Sequence, residues 1–120
     1  MKRYVLPCLL LAVLTPWAYA ESKGLQEGDR IAIIGDSITE QKLYSAFIED
    51  YLLMCKPELK LQTMQFGWGG ETAGGFASRL ANDMVPYKPT VATTCYGMND
   101  GGYVALTPET LKNYTDSMDR

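Results

Sequence analysis

Three short segments carry the residues that could do chemistry. They are Gly35-Asp36-Ser37, Gly67-Trp68-Gly69-Gly70-Glu71-Thr72 and Gly97-Met98-Asn99-Asp100. Ser37 offers a hydroxyl that could attack a carbonyl. Gly70 offers a backbone N–H with no side chain to obstruct it, and Asn99 offers a side-chain amide. Both could donate to the negative charge that such an attack creates. A serine hydroxyl is a weak nucleophile without a base, usually histidine. The 120 residues contain no histidine. They therefore read as the front portion of a hydrolase that stops before its base.

Each of these residues also has a purely structural reading. Ser37 could simply cap a helix, since Ser and Asp are favoured there. Gly70 could be a loop glycine, and Asn99-Asp100-Gly101-Gly102 is a strongly turn-forming run. Asp36 and Asp100 flank the candidate site and read as hydrogen-bonding groups that hold its loops. Trp68 and Tyr103 are candidates for the walls of a crevice. Short motifs of this kind recur by chance, so their joint arrangement matters more than any one of them.

The elements around the motifs give that arrangement. Residues 30–34 form a β-branched run ending at Gly35, whose role is to permit a tight turn. A helix follows from Ser37 or Thr39, with Leu43, Phe47, Tyr51 and Leu52 at helical spacing and Ile48 and Cys55 widening the apolar face. Lys56-Pro57 ends it. Residues 59–66 alternate as a strand and lead into the glycine loop. The pattern predicts a second helix over 72–85, with Phe76, Leu80 and Met84 facing the core. After the break at 86–89, residues 90–96 read as a third strand. Thr107-Pro108 then looks like a cap followed by proline at the first position of a third helix. Alternating strands and helices imply an α/β fold, and right-handed crossovers make its sheet parallel. All three motifs then follow the carboxyl ends of strands, the edge where open α/β sheets bind ligands.

Composition narrows the setting. Lys2 and Arg3, an apolar run over 5–14 and Ala18-Tyr19-Ala20 form a signal-peptide pattern over 1–20. The run is shorter than the roughly 20 residues of a spanning helix, so stable membrane insertion is not expected. Cleavage after Ala20 would put the protein in a secreted or periplasmic setting. N-terminal sequencing of exported protein should then begin at Glu21, and retention of residues 1–20 would contradict it. Residues 21–29 read as a linker and 30–120 as one domain. Without Lys2 and Arg3, nine basic residues face fourteen acidic ones, a net charge of −5. That balance argues against nucleic acid and anionic membranes as partners. Cys55 and Cys95 lie in apolar stretches and read as buried free thiols. With no histidine and no CxxC, neither a metal site nor a cofactor is expected.

The three blocks, in this order and spacing, resemble the SGNH (GDSL) hydrolase family of secreted esterases and acetylesterases. The resemblance covers residues 30–120. It implies a flavodoxin-like three-layer α/β/α sandwich, of which this chain is the N-terminal part. It also implies Ser37 as nucleophile, with the Ser37 N–H, the Gly70 N–H and the Asn99 side chain as oxyanion donors. The substrate would be a small-molecule or carbohydrate acyl ester. Two features depart from the family: Gln65 stands where Asn usually opens the second block, and no Asp-x-x-His segment is present. Two other readings compete. One is a carbohydrate-binding or interaction module that kept the fold without the base. The other is a phosphate- or nucleotide-binding flavodoxin-like domain built on the Gly67-to-Gly70 loop, which lacks the P-loop lysine and the GxGxxG spacing.

Overall fold

The structure, a computed structural model, describes residues 24–120. The signal-peptide pattern lies outside the described residues. Three strands, β1 (Arg30–Gly35), β2 (Gln62–Gly67) and β3 (Val91–Cys95), form a parallel sheet in the order β2-β1-β3. The helices are α1 (Ser37–Glu40), α2 (Leu43–Cys55), α3 (Ala73–Asp83) and α4 (Pro108–Met118). This is the expected α/β architecture.

β1 is central because its sequence suits both faces. Ile31 and Ile33 pack with Leu61 under Tyr44, Ile48 and Leu52 of α2. Ala32 and Ile34 pack with Phe66, Phe76 and Tyr87, joined by Leu80 and Met84 of α3. Alternate side chains of one strand thus feed two apolar layers. The expected face of α3, Phe76, Leu80 and Met84, is the one that meets the sheet.

Several local expectations are corrected. The first helix is two: α1 ends at Glu40, and Lys42 turns left-handed (φ 60°) before α2 begins. The stripe of α2 that meets the sheet also differs from the expected one. Tyr44, Ile48 and Leu52 pack inward, whereas Leu43, Phe47 and Tyr51 are exposed. Residues 57–59 form a 3₁₀ turn in place of the start of a strand. Proline at the head of that segment fixes φ and favours such a turn. Cys55 and Cys95 are free, as expected, but exposed rather than buried. Cys55 closes α2, and β3 has only β1 as a neighbour among the described strands. Thr107 caps α4 with Pro108 behind it, as its sequence implies, and Thr107 and Thr110 exchange a capping box.

The register sets the position of the motifs. Gly35 pairs with Gly67 on one side and Cys95 on the other. All three strands therefore finish level, and the three motif-bearing loops leave the same edge of the sheet.

Candidate active site

The first motif begins with a glycine that is needed for space. A Cβ on Gly35 would lie 2.1 Å from Thr39 Oγ1 and 2.9 Å from the Cys95 carbonyl oxygen. Close packing of α1 onto the strand ends, rather than a special turn conformation, is what excludes a side chain. Gly67 is excluded likewise, since its Cβ would meet the Glu40 backbone nitrogen at 2.3 Å. The second loop thus sits against the turn that carries Ser37.

Asp36, not Ser37, caps α1. The Asp36 carboxylate accepts the Ile38 N–H at 3.0 Å and is buried, 2% exposed. Ser37 is the first residue of α1 and is half-buried. The capping role that would have explained Ser37 in purely structural terms is filled by its neighbour. Thr39 is fully buried and bonds the Tyr44 hydroxyl at 2.6 Å, which ties α1 to α2.

In the second loop, the Glu71 N–H donates to the Trp68 carbonyl at 3.2 Å, and Gly70 has φ +75°. That is the third position of a type II turn, where a positive φ favours glycine. A Cβ on Gly70 would meet open space, so backbone conformation and not crowding is what favours glycine there.

The third motif is folded onto the second. The Asn99 Nδ2 donates to the Glu71 carbonyl at 2.8 Å, so Asn99 bonds the residue next to Gly70. Its loop is also a genuine turn, with Gly102 N–H donating to Asn99 O at 3.0 Å. Turn former and cross-loop donor are therefore the same residue. An amide carries two N–H donors, and the bond to Glu71 uses one.

Asp100 acts as a knot between the third motif and two helices. Its Oδ1 accepts the Ala73 N–H at 2.9 Å at the start of α3 and the Ser117 hydroxyl of α4, and its Oδ2 accepts the Gly97 N–H at 3.0 Å. Burial pushes the Asp100 carboxyl up, but these donors outweigh it and hold it below the ordinary aspartate value of 3.8. A carboxylate lowered by folding contributes stability that is present above its unfolded pKa and lost as pH falls through the folded one. Asp100→Asn is therefore expected to be less stable at neutral pH, by about 1.5–3 kcal/mol for hydrogen bonds to a charged group. The gap should close below pH 3.8. A thermal melt series from pH 7 to 3 checks this, and a gap independent of pH would contradict it.

Trp68 and Tyr103 are 61% and 74% exposed. Trp68 lies 5.6 Å beside the Arg79 guanidinium, and Tyr103 donates weakly to Asn99 Oδ1 at 3.4 Å. Gln65, at the departure from the family pattern, has a buried Oε1 without a partner among the described residues.

Sequence reasoning missed Arg79, and it gave Tyr96, at the head of the third segment, no role. Arg79 Nε donates to Glu71 Oε1 at 2.5 Å, and its Nη2 donates to Glu71 Oε2 at 2.7 Å and to the Phe66 carbonyl at 2.8 Å. Tyr96 OH donates to the same Glu71 Oε2 at 2.8 Å. Burial raises the Tyr96 phenol, and the neighbouring Glu71 carboxylate raises it further, so it remains a donor. Arg79 lies eight residues beyond Glu71, a spacing with no local signature. Only its pairing with Asp83 at i,i+4 was open to sequence reasoning.

Among the described residues no group of three or more His, Cys, Asp and Glu side chains could hold a metal ion. No described helix is long and apolar enough to cross a membrane.

No family model matches the chain, and no curated protein does. Solved structures do. One is a gut microbial diltiazem-metabolizing enzyme, with TM-score 0.70 and 33% identity over 81% of this chain and 23% of that one. Another, from Parabacteroides merdae, is described as a GDSL-like lipase, with TM-score 0.64 and 23% identity over 78% of this chain and 53% of that one. A third is Axe2, an acetylxylan esterase from Geobacillus stearothermophilus, with TM-score 0.67 and 22% identity over 80% and 53%. These likenesses support an SGNH/GDSL hydrolase-like fold. This SGNH-like chain spans about half the length of the last two structures and less than a quarter of the first. Its structural neighbours include an esterase and a GDSL-like lipase.

Proposed function

We propose that the protein carrying this chain is a serine ester hydrolase acting on acyl esters, with O-acetyl groups on carbohydrate as the substrate class. Ser37 Oγ attacks the acyl carbonyl, the alcohol departs with a proton, and water hydrolyses the acyl-Ser37 ester. The Ser37 and Gly70 N–H groups and the Asn99 amide stabilise the oxyanion. The base is a histidine outside these 120 residues, since the chain has no histidine of its own. No cofactor takes part. Export through the 1–20 segment gives the enzyme access to extracellular or periplasmic esters.

The observation that most supports this reading is the bond from Asn99 to Glu71. It joins the third motif to the residue beside Gly70, on the edge from which Ser37 also emerges. The likeness in fold to an acetylxylan esterase supports the acetyl class by analogy alone. Incubating the full-length protein with acetylated xylo-oligosaccharides tests it. Acetate release that depends on Ser37 supports the esterase. Binding without release would point to the carbohydrate-binding module, and activity confined to other acyl esters would remove the substrate class.

A further inference from the structure

Glu71 is bonded through both its backbone and its side chain. Its carbonyl accepts the Asn99 amide at 2.8 Å. Its carboxylate, 8% exposed, accepts two N–H groups of Arg79 and the hydroxyl of Tyr96. Arg79 in turn donates to the Phe66 carbonyl near the end of β2 and packs at 4.9 Å over the Phe76 ring. Tyr96 stands three residues before Asn99, directly after β3. The connections close a ring: β2 end, Arg79, Glu71, Tyr96 and Asn99, with Gly70 inside the turn that Glu71 terminates.

Stability alone is a poor reason for such a ring. A buried ion pair recovers its desolvation cost only with excellent geometry, and apolar replacement is often neutral or better. What this ring supplies is orientation. A bidentate guanidinium–carboxylate pair fixes a plane as well as a distance. With Glu71 fixed, its carbonyl captures one Asn99 N–H and directs the other away from Glu71. The adjoining Gly70 N–H is set by the same turn.

We propose that Glu71, clamped by Arg79 and Tyr96, is a positioning residue that aligns the Asn99 and Gly70 donors toward a common oxyanion. This rests on the esterase reading given above. Glu71 touches no substrate; it acts through the two donors. Preorganised donors are worth most when they need not move at the moment of reaction, so loosening the clamp should weaken the transition state and leave ground-state binding alone.

The test is a double-mutant cycle in the full-length protein with an acetyl ester, reading kcat and KM separately. Glu71→Gln removes the charge that holds Arg79 and should lower kcat about tenfold, part of the 10²–10³ that loss of a whole donor costs, with KM changed less than about twofold. In an Asn99→Ala background the same substitution should lower kcat less than about threefold, because the side-chain donor it holds directly is gone and only its effect on the Gly70 N–H remains. Tyr96→Phe deletes a single hydroxyl and provides the milder second variant, with a smaller kcat loss that is likewise suppressed by Asn99→Ala. Arg79→Lys should not restore the clamp, because an ammonium lacks the planar fork. Affinity for a boronic acid, which forms a tetrahedral adduct on serine, should fall with kcat in each single variant. Additive effects of Glu71 and Asn99, or a kcat unchanged in both Glu71→Gln and Tyr96→Phe, would overturn the proposal. A wild-type protein without Ser37-dependent turnover would instead overturn the esterase reading itself.

Discussion

Ser37→Ala in the full-length protein is expected to lower kcat for acetyl esters by a factor on the order of 10⁶, the scale seen when a serine hydrolase loses its nucleophile. The loss is large because an entire covalent pathway disappears. Without Oγ no acyl-enzyme forms, and water must attack the bound ester directly. Some catalysis should persist, since the oxyanion donors and bound geometry remain. KM should change little, because Ser37 contributes mainly to the transition state. Protein folding is not expected to suffer: the cap of α1 is Asp36, and Ser37 is only half-buried. The measurement is kcat and KM for both proteins with matched melting temperatures. Wild-type rates in the variant would mean that another residue is the nucleophile.

Asn99→Ala should cost less, about 10²–10³ in kcat, the usual penalty for one oxyanion donor. The smaller size follows from its role: it stabilises charge but forms no bond. Two other donors, the Ser37 and Gly70 N–H groups, would still act. The substitution also frees the Glu71 carbonyl, which loses its partner at 2.8 Å. A modest fall in stability, about 1 kcal/mol for a neutral hydrogen bond, should therefore accompany the kinetic effect. If KM rises while kcat is unchanged, Asn99 is a ground-state contact and not an oxyanion donor.

The order of elements and the parallel sheet were legible because the strong signals were local. β1 is a short β-branched run, α3 carries Phe76, Leu80 and Met84 at helical spacing, and α4 has Thr107 and Pro108 at its head. The face of α2 was not legible. Its apolar residues occur as neighbouring pairs, Leu43-Tyr44, Phe47-Ile48 and Tyr51-Leu52, so two stripes were available and periodicity could not choose between them. Packing against Ile31, Ile33 and Leu61 selects the Tyr44, Ile48 and Leu52 stripe. Burial of Cys95 was inferred from an apolar run, but burial depends on what covers a strand, and exposure at that edge is a tertiary property.

At the site, glycine and turn chemistry marked the loops, and the parallel register then brought them to one edge. The cap was assigned loosely, because Asp36 and Ser37 are both good capping residues, and only the bond to Ile38 separates them. Gly35 was read as a turn residue, yet its reason is the 2.1 Å approach of Thr39, a contact visible only once α1 is packed. The Glu71–Arg79–Tyr96 ring joins residues 8 and 25 positions apart. No local pattern encodes it, because its members meet only after α3 has folded back onto the sheet.

The central claim is that Ser37 is an activated serine facing an oxyanion site. The most direct measurement is covalent labelling of the full-length protein with a fluorophosphonate, followed by peptide mass spectrometry. The account predicts one phosphonyl adduct, on Ser37, formed in step with the loss of esterase activity and absent in Ser37→Ala. An adduct on a different residue that tracks the loss of activity, or full inhibition with Ser37 unmodified, would contradict it.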